Sequence, residues 1–294
     1  MRNSLGFAAM LLAAANSLHG QVRPSTSSPN SPNVLSAASA TTPVSAGSIV
    51  AIYGSNFAND IAMAGSVPLP EQLGGASANF VVTNILGGPV FSGPMPLFYV
   101  SPTQINAQVP PNTTFPACAG GSGSVYNTNI QITTLSGMQT APVTATPAPG
   151  PGLFTANENG SGVAAAQFVN NLPDGTQTIE YVAQCPGGAG SCVPVPLNVT
   201  AGTSALVLWG TGISEYSTFP QGLTVMANNQ PLEVFYAGPS PQYAGLDQIN
   251  VWLPAGMAGS GTVNLSVSLT GTTPGVGISC GFNVTSNMVT IDIQ

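Results

Sequence analysis

Pro96-Leu-Phe-Tyr-Val-Ser-Pro-Thr-Gln-Ile-Asn-Ala-Gln-Val-Pro110 returns later in the chain as Glu233-Val-Phe-Tyr-Ala-Gly-Pro239, then Leu246-Asp-Gln-Ile-Asn-Val-Trp-Leu-Pro254. A second echo precedes each copy. Ser45-Ala-Gly-Ser-Ile-Val-Ala-Ile-Tyr-Gly-Ser-Asn-Phe57 corresponds to Thr200-Ala-Gly-Thr-Ser-Ala-Leu-Val-Leu-Trp-Gly-Thr-Gly-Ile213. Two echoes in the same order imply one duplicated unit of roughly 110 to 150 residues, a domain length and not a solenoid repeat. If the copies share a fold, Ile105 should superpose on Ile249 and Ile52 should lie near Leu208.

Working outward, the apolar residues fall in short alternating runs between glycines and prolines, the pattern of strands and turns. Strands are predicted at Val34-Leu-Ser-Ala-Ala-Ser39, Ile49-Val-Ala-Ile-Tyr53, Ala78-Asn-Phe-Val-Val82, the Phe-Tyr and Gln-Ile-Asn stretches, Asn129-Ile-Gln-Ile-Thr-Thr134 and Ala141-Pro-Val-Thr-Ala-Thr146. About seven strands in the first half is the number an immunoglobulin-like sandwich needs. Thr146-Pro-Ala-Pro-Gly-Pro-Gly152 marks a boundary, since proline cannot donate to a sheet ladder and spaced prolines stiffen a connector. Beyond it, Asp174-Gly175 reads as the tip of a hairpin. The expected fold class is all-β, two tandem immunoglobulin-like β-sandwiches over residues 34–147 and 148–294.

The N-terminus reads as a secretory signal over residues 1–20: Arg2, an apolar run from Leu5 to Ala15, then small residues up to Gly20. A flexible leader is expected over 21–33. The run is shorter than the ~20 apolar residues of a spanning helix, so the reading is an exported protein, extracellular or periplasmic. Cleavage would remove Arg2 and His19, leaving Arg23 as the sole cation against nine carboxylates, with no lysine. Nucleic acid and anionic membranes are excluded as partners, because both are gripped through Lys and Arg. An extracellular protein or a polysaccharide remains.

Cys118, Cys185, Cys192 and Cys280 are even in number in an exported chain, which points to disulfides. Glycines between Cys185 and Cys192 let that short loop close, a bond worth about 2.5 kcal/mol by chain entropy. Cys118 and Cys280 would then pair by elimination and link the halves. The C-x6-C spacing is longer than that of zinc sites.

Gly47 to Phe57 resembles the opening of IPT/TIG immunoglobulin-like domains. The wider set includes Phe98-Tyr-Val-Ser-Pro-Thr-Gln-Ile-Asn106, Pro151-Gly-Leu-Phe-Thr155, Trp209-Gly-Thr-Gly212 and Tyr243-Ala-Gly-Leu-Asp-Gln-Ile-Asn250. Over about residues 34 to 270 it resembles the uncharacterised C-terminal domain family of acidobacterial secreted proteins. The resemblance implies a fold and a compartment and brings no catalytic residues.

Without histidine or lysine in the mature chain, Ser-His-Asp and Cys-His catalysis, histidine zinc sites and lysine Schiff bases are unavailable. A non-enzymatic role without cofactor or metal is expected. A carboxylate-only glycoside hydrolase is the remaining enzyme, with Glu158, Asp174, Glu180, Glu215, Glu233 and Asp247 as candidates on separate strands and loops. Asn157-Glu-Asn-Gly160 and Asp174-Gly175 read as turns, and Asp247 as a local hydrogen-bonding residue.

Aromatic residues offer the better binding candidates. A period of two puts Ile249, Val251 and Leu253 on one face and Gln248, Asn250 and Trp252 on the other. Trp252 thus replaces Gln108 of the first copy on an outward face, where it can stack on a sugar with Gln248, Asn250 and Tyr243 nearby, or cover the seam between the two halves. The seam is the expectation for Trp252. Trp209 reads as core packing. Gln104, Asn106, Gln248 and Asn250 are expected to satisfy neighbouring loop backbone.

Overall fold

The computed structural model describes residues 32–115, 126–188, 190–199, 203–214, 222–274 and 279–294. The signal, most of the leader, Glu215 and the Cys118 to Cys280 pairing lie outside the described residues and side chains.

The chain is all-β. Among the described residues the one helical piece is a single 3-10 turn, Ala255–Met257. In the N-terminal half the strands are β1 Asn33–Ser36, β2 Ile49–Tyr53, β3 Ala62–Met63, β4 Gln72–Leu73, β5 Ala76–Asn84, β6 Pro89–Pro94, β7 Leu97–Val100, β8 Gln104–Gln108, β9 Tyr126–Thr134 and β10 Gly137–Pro142. Ten strands replace the expected seven or so. Prolines and glycines near 65–75 and 87–96 cut the extended chain into shorter pieces.

The C-terminal half contributes β11 Gly152–Leu153, β12 Ala166–Asn171, β13 Gln177–Tyr181, β14 Ala183–Gln184, β15 Val193–Pro194, β16 Pro196–Leu197 and β17 Ser204–Thr211. It continues with β18 Leu223–Ala227, β19 Gln230–Leu232, β20 Val234–Pro239, β21 Asp247–Trp252, β22 Gly261–Pro274, β23 Ser279–Thr285 and β24 Val289–Ile293. The Asp174-Gly175 tip joins β12 to β13 as expected, with Gly175 at φ 83°. The Cys185–Cys192 disulfide is formed.

Each half has two main sheets. The first pair runs β1-β2-β8-β7-β3 and β10-β9-β5-β4, with β6 on β5. The second runs β13-β12-β17-β21-β20, with β11 on β17, and β16-β24-β22-β18-β19, with β23 on β22. Alternation sends every second side chain inward. Val50, Ile52, Ile105 and Ala107 meet Ala78, Phe80, Ile130 and Ile132 in one core, while Leu206, Leu208, Ile249 and Val251 meet Val225, Val263, Val267 and Ile291 in the other. Each large side chain so buried stabilises by about 1.5 to 3 kcal/mol.

The duplication is visible in the register. Ile52 opposes Ile105 as Leu208 opposes Ile249, Tyr53 opposes Gln104 as Trp209 opposes Gln248, and Ala51 opposes Asn106 as Val207 opposes Asn250. Even the irregularity recurs: β7 slips between Leu97 and Tyr99, and β20 between Val234 and Tyr236, so Phe98 and Phe235 are the same bulged residue. A bulge twists and re-aims the strand locally.

Candidate functional site

A third apolar cluster joins the halves. Ile49, Phe98 and Tyr99 of the first half meet Ala165, Trp209 and Leu246 of the second, flanked by Ala37, Leu69, Phe154, Val207 and Tyr243. Ile49, Phe98, Tyr99, Val207 and Trp209 lie on strands, while Ala37, Leu69, Phe154, Ala165, Tyr243 and Leu246 come from the segments between strands. Trp209 is 3% exposed, with the Tyr243 ring edge-on at 5.4 Å and 77°. Its indole Nε1 is buried without a hydrogen-bond partner.

Polar groups seal the contact. The Ile49 N–H donates to Thr211 Oγ1 at 2.7 Å, and the Gly150 N–H donates to Ser45 Oγ at 3.0 Å. Two glycines make the approach possible. At Gly212 (φ +73°) a Cβ would stand 2.8 Å from Ser48 Oγ of the first half, and at Gly245 (φ +75°) one would stand 2.8 Å from Phe98 Cζ. Only glycine takes both that backbone and that contact cheaply.

Trp252 is therefore not the seam tryptophan. It is half-buried at the far end of β21 and stacks on Phe235, ring centroids 4.5 Å apart and 28° between planes. Trp209, expected in a core, has the same parity along β17 as Val207 and faces the seam, while Leu206 and Leu208 take the core. Tyr243 is separated from Trp252 as well: it belongs to the seam, on the loop between β20 and β21. That loop explains the placement. Residues 237–247 separate Tyr236 from Gln248, seven more than the 100–103 segment of the first copy, and the extra length carries Tyr243 to Leu246 onto Phe98.

Gln248 and Asn250 are brought together. Gln248 Nε2 donates to Asn250 Oδ1 at 3.0 Å, as Gln104 Nε2 donates to Asn106 Oδ1 at 2.8 Å. These amides pair with each other rather than with loop backbone, because residues two apart on a strand share a face.

The carboxylates are scattered: Asp174 in a turn, Asp247 at a strand start, Glu180 within β13 and Glu233 just before β20. Asp247 Oδ2 accepts from the Ile213 N–H at 2.7 Å, tying the start of β21 to the turn after β17. Asp174, at the exposed hairpin tip, is held below the usual carboxylate range by Thr176, whose hydroxyl and N–H both donate to it. Glu180 and Glu233 are exposed.

Glu158 differs. Its turn (φ 60°) presses on the first half, where a Cβ at Gly160 would stand 2.2 Å from Ser39 O. Burial pushes its carboxyl up to about 7. Across the junction, Tyr53 is raised by its own burial first and by the Glu158 charge second. The Cys185–Cys192 bridge braces this turn, since the Cys192 N–H donates to Asn157 Oδ1 at 2.9 Å.

Among the described residues no group of three or more His, Cys, Asp or Glu side chains could hold a metal ion. No helix among them is long and apolar enough to cross a membrane. No family model matches the chain, and no curated protein matches it.

Proposed function

We propose that this chain is an exported, non-catalytic tandem of immunoglobulin-like β-sandwiches, related to the acidobacterial secreted family that it resembles, with a structural, adhesive or binding role at or outside the cell envelope. The observation that carries this reading is the seam: a buried tryptophan, two inter-half hydrogen bonds and two tightly placed glycines join the halves. Two halves held in contact are suited to presenting a surface. The disulfide fits an oxidising compartment. Asp247 and Asp174 are engaged in turn hydrogen bonds, which argues against a carboxylate-only hydrolase. Fractionating cells that express the full chain, then sequencing the N-terminus of the product, tests export. The expected product lies outside the cytoplasm and begins near Gln21, whereas an intact N-terminus in the cytoplasm contradicts the reading.

One observation favours a second reading, a carbohydrate-binding module. Trp252 and Phe235 form an aromatic pair on an accessible sheet face beside the Gln248–Asn250 amides. Neutral sugars stack on such rings and bond to such amides. Glycan-array binding that disappears in Trp252→Ala supports it, and a blank array removes it.

A further inference from the structure

Two methionines meet on the outer face of the second half. Alternation along β18 turns Val225 and Ala227 into the core and Met226 outward, and along β22 it turns Leu265 and Val267 inward and Ser266 outward. Met226 is registered on Ser266, and Leu265 on Val289, so Met288, the residue before Val289, stands on the far side of Ser266. Neighbouring strands lie about 4.8 Å apart, which starts the two methionines about 10 Å from each other with only a serine between them. Both side chains line one surface pocket with Ser266, Asn229 and Asn264.

The backbone beneath the pair is fixed on both sides. Asn287 anchors the segment that carries Met288: its Oδ1 accepts from the Leu153 N–H at 2.8 Å, and its Nδ2 donates to the Leu153 and Gly160 carbonyls at 2.9 and 2.8 Å. Beyond Met226, Asn228 and Asn229 close the β18–β19 turn at φ 45° and 67°. The Asn228 N–H donates to Asn264 O, and the Asn264 N–H donates to Asn228 Oδ1, both at 2.9 Å. Above this frame each methionine keeps three rotatable bonds, enough to swing two sulfurs together over a serine.

The lining decides what fits. Among the described residues it holds no ionisable side chain and no aromatic ring, so it suits neither a hard divalent cation, which takes carboxylates, nor a stacked sugar. What it holds is two thioether sulfurs and the amide oxygens of Asn229 and Asn264. Thioethers are soft donors that select copper(I). The other described methionines are placed differently: Met95 is in the first core, Met257 packs against the second, and Met63 and Met138 are exposed on β3 and β10, in different sheets. We propose that Met226 and Met288 clamp a soft monovalent cation, copper(I), between their sulfurs. This goes beyond the proposed role and does not depend on export. A thioether has no proton to lose, so the site stays competent in acid, where thiolate, imidazole and carboxylate ligands are protonated.

Silver(I), a redox-inert ion of the same charge and softness, is the probe. Of the eight methionines, Met1 and Met10 precede the expected cleavage site, so the mature chain labelled with carbon-13 in its methionine methyls gives six signals. Titrated with silver nitrate in chloride-free buffer, the Met226 and Met288 signals, assigned by Met226→Leu and Met288→Leu, should move together and saturate at one ion per chain, in acid as at neutral pH. Either variant should bind at least about tenfold more weakly, since losing even an outer-shell partner costs that much, while Met138→Leu binds as the wild type does. Leucine conserves volume, and a circular-dichroism melt checks each fold. No movement of the pair, separate titration curves for the two methyls, shifts spread over Met63 and Met138 as well, or binding that survives in the double variant overturns the proposal. So does binding lost in acid, which assigns the ion to thiol or carboxylate groups elsewhere.

Discussion

The same row of a duplicated sheet meets two fates. In the N-terminal half, Ile49 and Phe98 are buried against Trp209 and Leu246; in the C-terminal half, Ala205 is buried too, but Trp252 is half-buried and Phe235 is 40% exposed. The strands do not differ in kind. One difference between them is a connection, residues 237–247 against residues 100–103, and the longer loop places Tyr243 and Leu246 on Phe98 of the other half. Insertions in loops change which surfaces meet while the ladder that presents them stays the same.

The contrast is sharpest at the two tryptophans. Trp209→Ala opens a cavity in the seam and should cost roughly 3 to 5 kcal/mol, with faster proteolysis in the 146–152 connector. Trp252→Ala, measured at dilution, should cost less than about 1 kcal/mol. Equal losses in urea denaturation would break the comparison.

Glycines extend it. Gly212→Val must accept φ +73° and a Cβ 2.4 Å from the Gly150 carbonyl oxygen. It should lose about 2 to 3 kcal/mol. Gly175, at φ +83° with nothing within 4 Å of its added Cβ, should lose only about 1 kcal/mol on change to Ala. Thermal melts of the two variants give the ratio directly.

A pH-dependent effect concerns the Glu158 turn. Its folded carboxyl titrates at about 7 against 4.5 ordinarily, so between those values the folded state binds the proton that the unfolded state has released. Its contribution to stability is full below pH 4.5 and declines as pH rises through about 7. Glu158→Gln should flatten that slope. Denaturation midpoints below 4.5 and above 7 check it, and a wild type whose midpoint rises across this window contradicts the sign.

Much of this was legible in the sequence. The paired echoes located β2, β8, β17 and β21, and a two-residue period fixed which of their residues share a face. The Cys185–Cys192 bridge followed from a short glycine-rich loop. Parity also marked Trp252 as outward. The same parity, applied to Leu206, Leu208 and Trp209, would have moved Trp209 out of the core, but a tryptophan in an apolar strand reads as core by composition alone. The location of the seam had no periodic signal: it depends on where an irregular loop lands, and only the unequal spacing between Tyr236 and Gln248 hinted at an arm. The hydrogen bond between Gln104 and Asn106, repeated in Gln248 and Asn250, was missed, because amides in a strand beside loops read as partners for loop backbone although i, i+2 spacing puts them on one face.

The most direct test uses the fact that the chain has two tryptophans. Trp252→Phe leaves Trp209 as the sole indole, and Trp209→Phe leaves Trp252, so acrylamide quenching in dilute solution reads each site alone. Trp209 should emit at shorter wavelength and resist quenching, while Trp252 should emit at longer wavelength and quench readily. If Trp252 is the protected indole and Trp209 the accessible one, the seam has been placed on the wrong strand end.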